Sequence, residues 1–359
     1  MKTEAAMLSD VGRIRMVSLQ LPPLRPKDIL VEIEMTGLCG SDMAVYLGKH
    51  AFKKPPIVLG HEFSGIVRKV GEAVTAVRTG ERVCAASFTH CGNCDGCRRG
   101  NTQLCRSKRV ICTGDWHGSF ASHVNVTENM VTALPRDVGP ERGVLVEPLS
   151  IGLHAMRLPA AMTGKSVAII GAGSIGLTCL LAAKRLGAGR IVCVDKGEFK
   201  RGIATRLGAD GYVDARSEDV VGSTLDVLGE QADIAVLACS YDDIFAHAKM
   251  LTKPGGDVVA VSYFDSNVRL NLNDLLRSEI TVRFSYCSTP GDFLEVIDWL
   301  SREGFDPTPI VTHRVSLSQA DCALRLKKEN PEQVGKMIFD LSDNDRANPR
   351  PEFFGWGSS

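Results

Sequence analysis

Ser166-Val167-Ala168-Ile169-Ile170-Gly171-Ala172-Gly173-Ser174-Ile175-Gly176 decides the fold of the second half of this chain. Its opening is a nearly continuous apolar run, as expected of a strand buried on both faces. A glycine-rich turn follows at once, and Leu177 to Leu186 then has a helical pattern. Ile191-Val192-Cys193-Val194 reads as a second strand and ends at Asp195, nineteen residues after Gly176. A lone G-x-G-x-x-G carries little weight. Set between a strand and a helix, with an acid downstream, it becomes a dinucleotide fingerprint. Gly171, Gly173 and Gly176 allow the turn and a close backbone approach. Ser174 and Ile175 open a helix whose N-terminus faces a pyrophosphate. The Asp195 carboxylate suits a ribose diol and repels a 2′-phosphate, which favours NAD over NADP. Lys196, Lys200 and Arg201, close behind it, pull the other way. Apolar runs at Ile234–Leu237, Val258–Val261 and Ile280–Val282 continue the pattern, with helical stretches between them. The expectation is a doubly wound parallel sheet.

Toward the N-terminus the pattern changes. Ile29 to Met35 alternates like a strand with one buried face, and Ile57–Leu59, Phe63–Val67 and Gly80–Val83 are similar. Short strands with Gly and Pro between them suggest a small β-barrel. This region contains Gly37-Leu38-Cys39-Gly40-Ser41-Asp42 and Gly60-His61-Glu62. A thiolate, an imidazole and a carboxylate are the side chains that hold a catalytic zinc while leaving a position open. Taken alone, a buried cysteine and an unrelated histidine would look the same. Cys91, Cys94 and Cys97 follow, and then Cys105. Four thiolates at these spacings can close a tetrahedron around a structural zinc. Two disulfides or an iron–sulfur cluster would use the same residue type. The Gly92–Arg106 loop has few apolar residues, so its shape should depend on the metal. Glu147, just before Pro148, reads either as a site carboxylate or as an acid favouring a helix N-terminus.

The totals are consistent with these patterns. With 359 residues and 44% hydrophobic content, the chain can build two domains. Lys plus Arg and Asp plus Glu both number 42, which gives no reason to expect nucleic acid or an anionic membrane as partner. There is no signal-peptide pattern and no apolar run long enough to span a bilayer, so a cytoplasmic protein is expected. Twelve cysteines then imply reduced or metal-bound thiols. Near the C-terminus, Phe293 to Arg302 reads as a helix, Pro309 to Arg314 as a strand, Ser318 to Lys328 as a helix and Gly335 to Asp340 as a last strand. The polar, proline-containing residues 343–359 read as a tail, whose three aromatics leave a partner contact open.

Five motifs now stand in order: Gly-Leu-Cys-Gly-Ser-Asp, Gly-His-Glu, the four-cysteine lobe, Val-Glu-Pro-Leu and Gly-Ala-Gly-Ser-Ile-Gly. Together they resemble the zinc-containing medium-chain dehydrogenases, closest to the polyol branch that includes sorbitol dehydrogenase. The resemblance implies an α/β protein with a GroES-like β-barrel catalytic domain and an inserted Rossmann domain. The barrel would take residues 1–152 and 293–342, with a structural-zinc lobe at 91–105, and the Rossmann domain 153–292. It implies one catalytic and one structural zinc per chain, NAD, a small polar alcohol or ketone substrate, and a homodimer or homotetramer joined through the cofactor domain. Cys39, His61, Glu62 and Glu147 match groups at the catalytic metal, and Ser41 matches a hydroxyl that bonds the substrate oxygen. Ile175, Asp195, Lys200, Val261, Tyr263 and Ser285 match cofactor contacts. Departures bear on the substrate. Ala44 stands where many relatives carry a relay histidine, and Val45 and Ser285 replace polar groups of sorbitol dehydrogenases. A cyclitol or amino sugar is therefore expected to serve better than sorbitol, with Asp115, Trp116 and His117 lining the pocket. Rival readings are a dehydrogenase of 2,3-butanediol or L-threonine type, a zinc-free quinone reductase and a non-catalytic NAD-binding redox sensor.

Overall fold

The computed structural model describes residues 1–264 and 267–342 and the backbone of 352–353. The chain divides into two compact units, residues 1–147 with 289 onward, and residues 148–288. The division falls a few residues earlier at each crossing than the sequence suggested. At the first crossing one unbroken helix, Val146–Arg157, runs through the expected boundary. At the second, the helix begins at Pro290 rather than Phe293, because Thr289 caps it. Thr289 Oγ1 accepts from the Asp292 amide at 3.3 Å, and the Asp292 carboxylate accepts from the Thr289 amide at 2.8 Å.

The first unit is built on strands. β1 (Lys2–Asp10) and β2 (Arg13–Gln20) form a hairpin, and β1 also pairs with β4 (Ile57–Val58). A larger sheet is centred on β3 (Asp28–Leu38), which is buried along nearly its whole length. β3 pairs antiparallel with β5 (Glu62–Val70), with β7 (His123–Thr127) and with β16 (Lys336–Asp340). β6 (Arg82–Ala85) and β8 (Val131–Ala133) extend it beyond β5. β15 (Val311–Ser316) extends it beyond β16, and Glu352–Phe353 pairs with β15. Ile29, Val31, Ile33, Phe63, Val67, Val83, Phe120 and Phe339 fill the interior, with the Phe120 and Phe339 rings 4.8 Å apart, edge to face. Each such side chain contributes about 1.5–3 kcal/mol relative to leaving it exposed. This packing fixes the register that matters for the site: Gly37 lies opposite Glu62 on one side and opposite Ile338 on the other.

The second unit is a six-stranded parallel sheet. Its strands are β9 (Ser166–Ile170), β10 (Arg190–Asp195), β11 (Gly211–Asp214), β12 (Ala232–Leu237), β13 (Thr252–Ala260) and β14 (Thr281–Phe284). They lie in the order β11-β10-β9-β12-β13-β14. The order reverses between β9 and β12, the kind of switch point at which open α/β sheets bind dinucleotides. The helix Ser174–Arg185 starts directly after β9. A Cβ on Gly176 would stand 1.7 Å from the Gly171 carbonyl oxygen, so only glycine lets this helix approach its strand so closely. The tail expected at 343–359 lies outside the described residues, apart from the backbone at 352–353.

Candidate metal centres and cofactor site

The helix Gly40–Tyr46 follows β3 directly and presents Cys39 at its N-terminus. Asp42, in its first turn, is fully buried and ties two ligand-bearing segments together. Its Oδ2 accepts from the Cys39 amide at 3.1 Å, and its Oδ1 accepts from the Gly60 amide at 3.3 Å. The same Oδ1 lies 3.6 Å from His61 Nδ1, too long for a good hydrogen bond but close enough for strong charge interaction. A carboxylate behind a histidine is the usual device for aiming that histidine at a metal. Cys39, His61 and Glu62 each offer one ligand atom, and these atoms lie within 4.8 Å of one another.

Glu62 is fully buried and forms an ion pair with Lys336, which is equally buried. Lys336 Nζ also donates to the Leu38 carbonyl at 3.3 Å. The strand register makes this pair possible: Glu62 lies opposite Gly37 on one side, and Lys336 opens the strand on the other, two residues before Ile338. A side chain at Gly37 would leave no room: its Cβ would stand 2.3 Å from Glu62 Oε2 and 2.9 Å from Lys336 Cε. Glu147 joins the group, and its charge acts together with those of His61, Glu62, Lys336 and Asp42.

The electrostatics describe a pocket short of positive charge. Burial pushes the Glu147 carboxyl up to about 7, and Glu62 adds to the rise while His61 opposes it. Burial alone would lower the His61 imidazole. The charges of Asp42 and Cys39 outweigh it and hold His61 well above its ordinary range. Burial would raise Asp42, but His61 keeps it below the usual carboxylate range. Burial would lower Lys336, and Glu62 and Cys39 hold it up instead. A soft thiolate, an imidazole and carboxylates in a buried pocket fit zinc, so the donor set passes the test of its chemistry.

The second cluster sits on a loop. Cys91, Cys94, Cys97 and Cys105 bring their sulfurs together, with Cys91 to Cys97 at 3.9 Å and Cys94 to Cys97 at 3.5 Å. Zinc–sulfur bonds of about 2.3 Å give a tetrahedron with edges of about 3.8 Å. The measured separations bracket that value, and they are far beyond disulfide length. Amides of Asn93 and Cys94 lower the Cys91 thiol, and the Cys97 amide brings Cys94 down to about 6. Desolvation and its bond to Cys94 carry Cys97 up to about 11.

In the second unit, Asp195 ends β10 beside the glycine turn. Its Oδ2 accepts from the Ala172 amide at 2.7 Å and from Lys200 Nζ at 3.0 Å, and its Oδ1 accepts from the Lys196 amide at 2.7 Å. Arg201 pairs with Glu198 at 3.2 Å and lies 5.4 Å over the Tyr212 ring. Gly173 and Ser174 stand at the start of the Ser174–Arg185 helix. Val261 follows the end of β13 and Ser285 the end of β14, where Ser285 Oγ is buried without a partner. Tyr263 is exposed.

Two family models match. An alcohol dehydrogenase GroES-like domain covers residues 25–136, and a zinc-binding dehydrogenase domain covers residues 174–302. Sorbitol dehydrogenase of Bombyx mori is 31% identical over 332 residues, covering 90% of this chain and 95% of its own. The chain belongs to the zinc-binding medium-chain dehydrogenase family. L-idonate 5-dehydrogenase of Vitis vinifera is also 31% identical, covering 88% of each chain. A zinc-binding dehydrogenase of Sinorhizobium meliloti 1021, solved with NADP, has a TM-score of 0.86 and 28% identity, covering 95% of this chain and 99% of its own. The fold is thus the expected one, a GroES-like domain and a parallel-sheet cofactor domain, and the chain is an enzyme.

Sequence reasoning missed Asp42 and Lys336. Asp42 stands in the quoted Gly37–Asp42 stretch and could have been read as a helix-capping acid. Lys336 is the single charge opening the buried strand Lys336–Asp340, and a lysine leading such a run is itself a signal. Two positions expected to bear on the substrate are placed by the structure. Asp115, Trp116 and His117 line a small cavity with Thr3, Leu19 and Asn125, against the β1–β2 hairpin. Trp116 is anchored there by its indole N–H, which donates to the Asn125 carbonyl at 2.8 Å. Val45 is buried in the barrel core and opens no space there.

Proposed function

We propose that Cys39, His61 and Glu62, with Glu147 beside them, hold the catalytic zinc, and that the chain interconverts a secondary alcohol of a polyhydroxy compound and its ketone with NAD. The buried Cys39–His61–Glu62 cluster, aimed by Asp42 and countered by Lys336, carries this reading. Zinc there would polarise the substrate oxygen and make its proton easier to lose, while NAD takes up the hydride. The chain's own groups do the rest. Asp42 fixes the His61 ring. Lys336 keeps Glu62 from presenting an unbalanced charge. Ser41, in the first turn of Gly40–Tyr46, receives the hydroxyl proton and passes it toward solvent. Cys91, Cys94, Cys97 and Cys105 hold the second zinc. The relatives named above act on sorbitol and L-idonate, which supports a polyhydroxy substrate.

For the cofactor, Gly171, Gly173, Ser174, Ile175 and Gly176 take the pyrophosphate, with Val261, Tyr263 and Ser285 toward the nicotinamide. Lys200 is bound to Asp195 and Arg201 to Glu198, so two of the bases that could hold a 2′-phosphate are engaged. This favours NAD. Asp195→Ala should cost NAD about 1.5–3 kcal/mol in kcat/KM, the value of a charge-assisted bond, and narrow its advantage over NADP. A wild-type enzyme faster with NADP would reverse the assignment. Metal analysis should find about two zinc ions per chain.

The assembly reading is a dimer or tetramer through the second unit. β14 pairs only with β13, and Phe284, Leu272 and Leu276 near it are exposed. No helix among the described residues is long and apolar enough to cross a membrane. A cytoplasmic setting, in which thiols stay reduced, belongs to the same reading.

A further inference from the structure

A small cavity in the first unit carries two unpaired polar atoms on its wall. It lies between Thr3, Ala5 and Leu19 on the β1–β2 side and Trp116, His117 and Asn125 on the other. None of Cys39, His61, Glu62 and Glu147 lines it. Its other polar groups are engaged. Thr3 Oγ1 bonds Ser122 Oγ at 3.0 Å, His123 Nδ1 bonds the same hydroxyl at 3.2 Å, and the Trp116 indole donates to the Asn125 carbonyl. His117 Nδ1 and Asn125 Oδ1 are buried and make no hydrogen bond. Bulk water does not reach them, and a buried polar atom left unpaired is costly.

The chemistry of the pair limits what can complete it. Asn125 Nδ2 donates to the Pro22 carbonyl at 3.0 Å, which fixes the amide with its oxygen as the free end. That oxygen only accepts, so the missing group must bring a proton. A carboxylate or a fully ionised phosphate is thereby excluded. Two ligand atoms on a wall otherwise made by groups such as Leu19, Val58 and Ala121 are too few for a metal ion. Burial holds the His117 imidazole below its ordinary range, with Asp115 opposing, so the neutral ring donates or accepts at Nδ1 according to its tautomer. A hydroxyl suits both atoms: its proton goes to Asn125 Oδ1, and its oxygen accepts from His117 Nδ1–H. The cavity measures about 30 Å³, and a water needs about 10–15 Å³, so two waters or an alcohol of one or two carbons fill it. A six-carbon polyol does not fit.

We propose that this cavity is a hydroxyl-binding site separate from the metal cluster, in which one O–H group bridges Asn125 Oδ1 and His117 Nδ1. Water or an alcohol of one or two carbons supplies that group. The occupant joins the chain before β3, held through Asn125 and Pro22, to the segment that backs the metal ligands. The amides of Gly118, Ser119 and Phe120 donate to the carbonyls of Val58, Gly60 and Leu59, each at 2.9 Å, directly ahead of His61.

A crystal structure of the zinc-loaded full chain should show one oxygen about 2.7–3.2 Å from both atoms. An empty cavity, or the two side chains bonded to each other or to other protein groups, overturns the proposal. In solution, His117→Leu and Asn125→Leu, singly and combined, make a double-mutant cycle. Whatever each side chain does by itself, the Pro22 bond included, cancels in the cycle, and a shared bridging group appears as coupling. Each single change should lower the melting temperature by about 2–4 °C, and the pair by little more than the larger of the two. Additive shifts overturn the proposal. If a variant fails to fold, the wild-type crystal structure decides alone. Saturation-transfer NMR with methanol and with ethanol then reads the source of the hydroxyl. A signal in the wild type that the double variant loses assigns an alcohol, and no signal, or one that the variant keeps, assigns water.

Discussion

The two cysteine-bearing candidate metal sites of the first unit are made in opposite ways. Cys39, His61 and Glu62 stand at the ends of packed strands whose apolar faces form the barrel core. Their ligand atoms are gathered by Asp42 and Lys336, both buried. Cys91, Cys94, Cys97 and Cys105 lie on a loop whose only regular pieces are the four-residue helix Asp95–Arg98 and the three-residue turn Thr102–Leu104. Within Asp95–Arg98 no residue is buried. At the first site the fold makes the place for the ion. At the second an ion would supply the cross-links that a core otherwise provides. The same metal is therefore expected to matter for chemistry in one region and for structure in the other.

The largest effect that can break this contrast is on turnover. Cys39→Ser or His61→Ala should lower kcat/KM by about three orders of magnitude or more, since the Lewis acid is worth several kcal/mol. The circular-dichroism spectrum and NADH binding should stay near wild type. A variant that unfolds would show that the strand frame does need its metal, and one that keeps near-normal activity would remove zinc from the mechanism.

Next comes the loop. Cys97→Ser leaves three thiolates and an open edge on a segment without a core. Limited proteolysis should cut between residues 91 and 105 in the variant but not in the zinc-loaded wild type, and soluble yield should fall. Equal resistance in both proteins would mean that the loop holds its shape unaided.

The same contrast explains what could be read beforehand. The Rossmann unit was legible because periodicity, glycine spacing and Asp195 all report on local backbone chemistry. The four thiols were legible because their spacing is short and their residue type rare. Asp42 and Lys336 were not, because their roles depend on registry between strands far apart in sequence. Nothing local to residue 336 says that it will meet residue 62 across Gly37.

The smallest effect concerns Lys336, and it is the one that distinguishes the two sites most finely. The ion pair with Glu62 is buried on both sides, so removing Lys336 leaves a carboxylate with one partner lost. In the metal-free protein its other neighbours Asp42 and Glu147 are also acids, and the His61 imidazole alone opposes them. In the loaded protein the zinc can take up part of that charge. Lys336→Met should therefore destabilise zinc-free protein more than zinc-loaded protein, by about 1–3 kcal/mol, the cost of an unsatisfied buried group. Thermal melts before and after removal of the catalytic zinc, with the loop zinc retained, measure that difference. Adding Glu62→Gln to Lys336→Met should erase most of it, because the stranded charge is gone. An equal loss in both metal states would mean that Lys336 supports the strands and has no part in balancing the site.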